Sequence, residues 1–137
     1  MQVSMFSHGC GQVSYHIVFV TKYRRKMFSA QARAMRVEET MREIASTHNM
    51  QIHALKVLED HVHVFVTLHP SMSISVAMWL LKGISSREIF RDFPWLKAKY
   101  QTGHLWSKGK FYRTVGSVTS EAIEHYINHS QKKHFTP

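Results

Sequence analysis

The sequence is short of cysteine. Cys10 stands alone among 137 residues, which excludes an internal disulfide and fits a reducing cytosol. Long hydrophobic runs are missing too. No stretch approaches the roughly 18 apolar residues that a membrane-spanning helix needs, so no membrane partner is expected. The first dozen residues, MQVSMFSHGCGQ, lack the basic-then-apolar layout of a secretory signal, and a cytoplasmic protein is expected. There is no Gly-rich phosphate loop ending in Lys-Ser/Thr, so no nucleotide cofactor is expected either. Negative charge is scarce: 9 Asp and Glu face 18 Lys and Arg, for a net charge of +9. That balance calls for a polyanionic partner, and nucleic acid ranks ahead of the other candidate, an anionic membrane surface.

What is present suits one domain over residues 1–137. Hydrophobic residues make up 44% and charged residues 20%, enough for one core. No repeat, low-complexity stretch or linker divides the chain. Residues 13–22, VSYHIVFVTK, alternate and are rich in β-branched and aromatic side chains, which predicts a strand. Val13, Tyr15, Ile17 and Phe19 take one side; Ser14, His16, Val18 and Val20 take the other. From Ser29 to His48 the period becomes helical, with Ala34, Val37, Met41, Ile44, Ala45 and His48 on one face and Ser29 as the expected cap. QIHALKVLE (51–59) and HVHVFVTL (61–68) read as a hairpin around Glu59-Asp60.

Ser71 or Ser73 caps a second helix to about Phe90, with Val76, Trp79, Leu80, Gly83 and Ile84 as its apolar stripe and Trp79 assigned to the core. Residues 92–109 look irregular. KFYRTVG (110–116) predicts a fourth strand, and Thr119 or Ser120 caps a last helix. The order β-α-β-β-α-β-α predicts an α+β, ferredoxin-like fold: an antiparallel sheet with helices on one face, plus a C-terminal helix. Some single-stranded nucleic-acid binders use such a sheet, but fold alone does not give function.

The segment DHVHVFV (60–66) raises a chemical question. On a strand, His61, His63, Phe65 and Thr67 share one face, and Val62, Val64, Val66 and Leu68 the other. The aliphatic face is the expected core face. The two imidazoles then lie together, their Cβ atoms about 7 Å apart, able to converge on one divalent ion given a further ligand. The plainer alternative is a pair of surface histidines. In the last helix, Ile123 and Ile127 anchor the helix, and Tyr126 sits beside them. A tyrosine there can simply pack. As a nucleophile, a phenol with a pKa near 10 is only about 0.1% ionised at pH 7 and needs positioning or a metal-polarised target.

Taken in order, these residues resemble a family. His-Val-His at 61–63 after Asp60 is similar to the His-hydrophobic-His motif of HUH endonucleases. A late helix with Tyr126-Ile127 and a nearby glutamine resembles the single-tyrosine, TnpA-type transposases of small insertion sequences. YHIVFVTKYRRKMF (15–28), LKGISSREIF (81–90), Leu105-Trp106 and FYRTVG (111–116) extend the likeness over about 12–132. The resemblance implies cleavage and rejoining of single-stranded DNA, next to hairpins near transposon ends, with Mg²⁺ or Mn²⁺. It implies a Tyr126 nucleophile, a 5′-phosphotyrosine intermediate, a homodimer, and His61, His63 and Gln131 as metal ligands.

The family pattern places the glutamine four residues after the tyrosine; here Gln131 follows by five. At 100° per residue, that moves the offset from about 40° to about 140°. Either a one-residue π-bulge restores the alignment or His129 is the third ligand. Lys22, Arg24, Arg25, Lys82 and Arg87 are the expected DNA contacts, through phosphates. Trp95, Trp106 and Tyr112 either stack on bases or belong to the core. Two other readings stay open: a ferredoxin-like hairpin-binding protein without strand transfer, and a nuclease in which water attacks.

Overall fold

The computed structural model describes residues 13–101 and 103–116. β1 (Val13–Val20), β2 (Gln51–Val57), β3 (His61–Leu68) and β4 (Phe111–Val115) form one antiparallel sheet in the order β2-β3-β1-β4. α1 (Gln31–Thr47) joins β1 to β2, and α2 (Ile74–Asp92) with the short α3 (Trp95–Tyr100) joins β3 to β4. This is the expected ferredoxin-like α+β arrangement through its first six major elements. The expected helix carrying Tyr126 lies outside the described residues.

The apolar pattern places the core. Ile17 and Phe19 of β1 join Val62, Val64, Val66 and Leu68 of β3 beneath the helices. α1 contributes Val37, Met41, Ile44 and Ala45, the face its period predicts. Each fully buried side chain of this size is worth about 1.5–3 kcal/mol against exposure. Arg36 of α1 donates from Nε to Asp92 Oδ2 at the end of α2 (2.6 Å) and from Nη1 to Glu39 and Glu43, tying the helices together over the sheet.

Two local expectations change and one holds. Ser29 does not cap α1: its hydroxyl donates to the Lys26 carbonyl, and the helix starts after Ala30. Ser73, one of the two serines proposed, does cap α2 by accepting from the Val76 amide (3.1 Å). The buried stripe of α2 is Ala77, Met78, Leu81, Ser85 and Ile89, so Trp79 is not core; it is 73% exposed. The small Ala77 and Ser85 lie against the body, and the Ser85 hydroxyl accepts the Trp106 indole N–H at 2.8 Å. A count of large apolar residues passes over such a serine. Trp106 belongs to the core, packed on Phe19 and Phe28.

β3 alternates as expected, but its histidine face is not open. His63, Phe65 and Thr67 are as buried as the valines. Polar groups on that face pair with one another. Ser14 and Thr67 hydroxyls share a hydrogen bond (2.7 Å), as do Thr67 and His53 (2.7 Å), and Phe65 meets the His53 ring edge-on.

Candidate active site

The turn between β2 and β3 is fixed by the segment that follows β1. The Thr21 amide and hydroxyl both donate to the Asp60 carbonyl (3.0 and 3.1 Å), and the Phe28 amide donates to the Glu59 carbonyl (2.9 Å). Tyr23 and Arg24 then adopt successive left-handed backbone conformations, with φ of 58° and 53°. This is uncommon for side chains of their size. The bend lets Arg24 Nε donate to Asp60 Oδ2 at 3.2 Å.

Asp60 in turn holds His61. Their Oδ1 and Nδ1 atoms are 2.7 Å apart, with Nδ1–H donating. Burial pushes the Asp60 carboxyl up, but the His61 hydrogen bond and the Arg24 charge outweigh it and keep the group below its ordinary value. An anion at Asp60 therefore fixes the proton of His61 on Nδ1, which leaves Nε2 as the nitrogen carrying the lone pair. The ring centres of His61 and His63 lie 4.9 Å apart, with planes at 79°. That is close enough for both to reach one ion through metal–nitrogen bonds of about 2.1 Å.

His63 has a partner that the sequence reading missed. His16 of β1 stacks on it, centroids 5.1 Å apart and planes at 21°, with His16 Nε2 3.0 Å from His63 Nδ1. For His63 to ligate through Nε2, its proton must sit on Nδ1 and be donated to His16. Burial, followed by the charge of Arg113, lowers His16 to about 4. Burial, then the charges of His16, His61 and Arg113, lowers His63 to about 3. Both rings are neutral at pH 7, the form that binds metals. The signal for His16 was present in the alternation of β1, which puts it on the face away from Ile17 and Phe19.

Among the described residues, no group of three or more His, Cys, Asp or Glu is placed to hold a metal. The expected nucleophile Tyr126, third ligand Gln131 and alternative His129 lie outside the described residues. His61 and His63 bring two imidazole donors together, each with its Nδ1 hydrogen-bonded, a donor set whose chemistry suits a divalent ion.

The expected DNA-binding residues occupy two regions. Arg24 reaches the histidine pair through Asp60, while its neighbours Lys22 and Arg25 approach the Tyr23 ring. Lys82 and Arg87 line a cleft of about 830 Å³ built from α2 and residues 103–110, away from the histidine face. Lys82 holds that wall, donating from Nζ to the Ser107 and Gly109 carbonyls (3.0 and 2.8 Å). Trp95 and Tyr112 are 48% and 43% exposed.

Comparison with known proteins adds the decisive finding. A family model described as "Transposase IS200 like" matches residues 10–130. The chain belongs to the IS200-like transposase family. It is 36% identical over 123 residues to the transposase of insertion sequence element IS200 from Salmonella typhimurium, spanning 90% of this chain and 80% of that protein. A crystal structure of a Deinococcus radiodurans protein assigned as a transposase is similar with a TM-score of 0.70 and 31% identity, covering 86% of this chain and 90% of that one. A tyrosine transposase bound to a REP hairpin shares the fold, with a TM-score of 0.58 at 16% identity over 89% of this chain and 68% of that one. The family relationship carries transposition and DNA cleavage to this chain. No described helix is long and apolar enough to cross a membrane.

Proposed function

We propose that this IS200-like transposase cleaves and rejoins single-stranded DNA at the ends of a small insertion element, through a covalent link to Tyr126. The observation that carries the proposal is the 4.9 Å approach of the His61 and His63 rings, each with Nδ1 held, by Asp60 and by His16. Tyr126 loses its proton and its oxygen attacks the scissile phosphorus. A phosphotyrosine bond forms on the 5′ side, and the bond to the 3′ oxygen breaks, leaving a 3′-OH. Rejoining reverses these bonds with another 3′-OH as nucleophile, so the phosphodiester energy is conserved. His61 and His63 would hold Mg²⁺ or Mn²⁺ with Gln131, or with His129. When bound, the ion supplies Lewis acidity and a template for the phosphate oxygens.

The substrate in this reading is single-stranded DNA flanking a hairpin. The hairpin bound by the structurally similar tyrosine transposase supports that choice of partner. Two copies of the chain act together, one supplying Tyr126 to the other's histidines. The test is incubation with Mn²⁺ and labelled hairpin DNA carrying an unpaired flank, resolved on denaturing gels. A covalent adduct that disappears in Tyr126→Phe is expected. Binding without cleavage would favour the hairpin binder, which the five-residue Tyr126–Gln131 spacing keeps in contention. Cleavage surviving Tyr126→Phe would favour attack by water. Mixing Tyr126→Phe with His61→Ala protein should restore activity if the site is shared between copies.

A further inference from the structure

From Tyr23 onward, aromatic rings and cations of residues 23–33 and 95–100 alternate across the surface. The Arg25 guanidinium lies 5.0 Å from the Tyr23 ring centre and 4.5 Å from that of Tyr100. The Lys99 ammonium lies 5.4 Å from Tyr100 and 5.7 Å from Trp95, and Arg33 approaches Trp95 from α1 at 5.3 Å. The series Tyr23, Arg25, Tyr100, Lys99, Trp95, Arg33 contains no carboxylate. It begins one residue from Arg24, which holds Asp60 and through it His61.

We propose that this series is a track for unpaired nucleotides of the DNA flank, with bases stacking on Tyr23, Tyr100 and Trp95 and phosphates meeting Arg25, Lys99 and Arg33. It deepens the transposase reading and rests on it for the source of the strand. Tyr100 packs partly against the core, but Tyr23 and Trp95 do not, and cation–aromatic pairs on a surface are each worth only about 0.5–1 kcal/mol, which gives the fold little reason to expose those two rings. Tyr23 is 74% exposed and Trp95 48%, and Tyr23 sits at a φ of 58°, a conformation that costs a bulky residue free energy. A lysine or glycine would serve the bend and solubility better. Rings with cations between them are instead what single-stranded nucleic acid needs. Unstacked bases offer faces to the rings in any sequence, and the phosphates between them carry the charge. A duplex keeps its bases stacked inside and cannot use the rings this way.

The test measures affinity by fluorescence anisotropy, with Ca²⁺ replacing Mn²⁺. Three DNAs are compared: a hairpin with an unpaired flank, the same hairpin trimmed flush, and the hairpin with an abasic flank. Trp95→Leu and Tyr23→Ala are each expected to weaken the flanked hairpin roughly tenfold, as loss of a base–ring stack does. They should leave the flush and abasic DNAs and the melting temperature unchanged, and Trp95→Phe should recover most of the loss. Unchanged affinity for the flanked hairpin, or an equal loss on all three DNAs, would overturn the track. The two proposals fail separately. Adduct formation by wild type with flank binding insensitive to Trp95→Leu removes the track and keeps the nucleophile. Ring-dependent flank binding with no adduct keeps the track and removes the nucleophile.

Discussion

Replacing His16 with leucine should damage the histidine pair without touching either proposed ligand. His16 is 2% exposed and His63 fully buried, and one 3.0 Å hydrogen bond joins them. Leucine fills much of the ring's space but cannot accept the His63 Nδ1 proton. Leaving that donor buried without its acceptor costs about 1–3 kcal/mol. For a chain of this length that lowers the melting temperature by roughly 3–10 °C. The second effect separates a positioning role from a packing one. Without His16, the His63 ring can turn or move its proton to Nε2, and loss of such a support typically weakens metal binding about 10–100-fold. Calorimetric titration of Mn²⁺ into wild type, His16→Leu and His16→Gln reads this directly. The glutamine carbonyl can accept the same proton, so His16→Gln should recover part of the affinity. A destabilised His16→Leu protein that binds Mn²⁺ as wild type does would refute the positioning role and leave His16 a core residue.

Acid should unfold the protein early. His16 and His63 are depressed to about 4 and about 3, so below pH 6.5 the unfolded chain takes up protons that the folded chain refuses. Stability is then complete above about pH 6.5 and falls as pH drops toward 4, by about 1–2 kcal/mol per ring at pH 5; urea melts at pH 7 and pH 5 that coincide would contradict this. Asp60→Ala removes the acceptor from His61 and the partner from Arg24, and should cut DNA cleavage at limiting Mn²⁺ about 10–100-fold while costing under about 1 kcal/mol of stability in a chemical melt. Excess Mn²⁺ should recover part of the rate. Ser85→Ala leaves the Trp106 indole N–H buried without its 2.8 Å acceptor and should cost about 1–3 kcal/mol, seen as a lower thermal midpoint with unchanged affinity for a flush hairpin.

Much of this was legible in the chain itself. Alternation in VSYHIVFV and HVHVFVTL gives β1 and β3, because a side-chain period of two leaves few other structures. It also assigns His61 and His63 to one face. The same alternation assigns Ser14, His16, Val18 and Val20 together, yet His16 gave no sign of meeting His63. That pairing depends on which strands are neighbours, a long-range fact set by the whole sheet. The α2 stripe differs from the expected one because Ala77 and Ser85 are small and one is polar, whereas Trp79 and Val76 look like core residues and face outward. The exposed ladder was invisible for another reason. Its contacts join residues near position 25 to residues near position 100, and no local spacing connects them.

The central position of β1 has a consequence for how the chain matures on the ribosome. Its partner on one side, β3, is made about 45 residues later, and β4, on the other, about 90 residues later. At roughly 5–20 residues per second, one edge of β1 stays unpaired for several seconds after the strand emerges. His16 and His63 can come together once β3 is out, but the ribbon that carries them gains its last neighbour only with Phe111–Val115. A chain arrested before that point would expose a long apolar edge and be prone to clumping, so truncations ending between 70 and 110 should be recovered as insoluble protein rather than as a smaller nuclease.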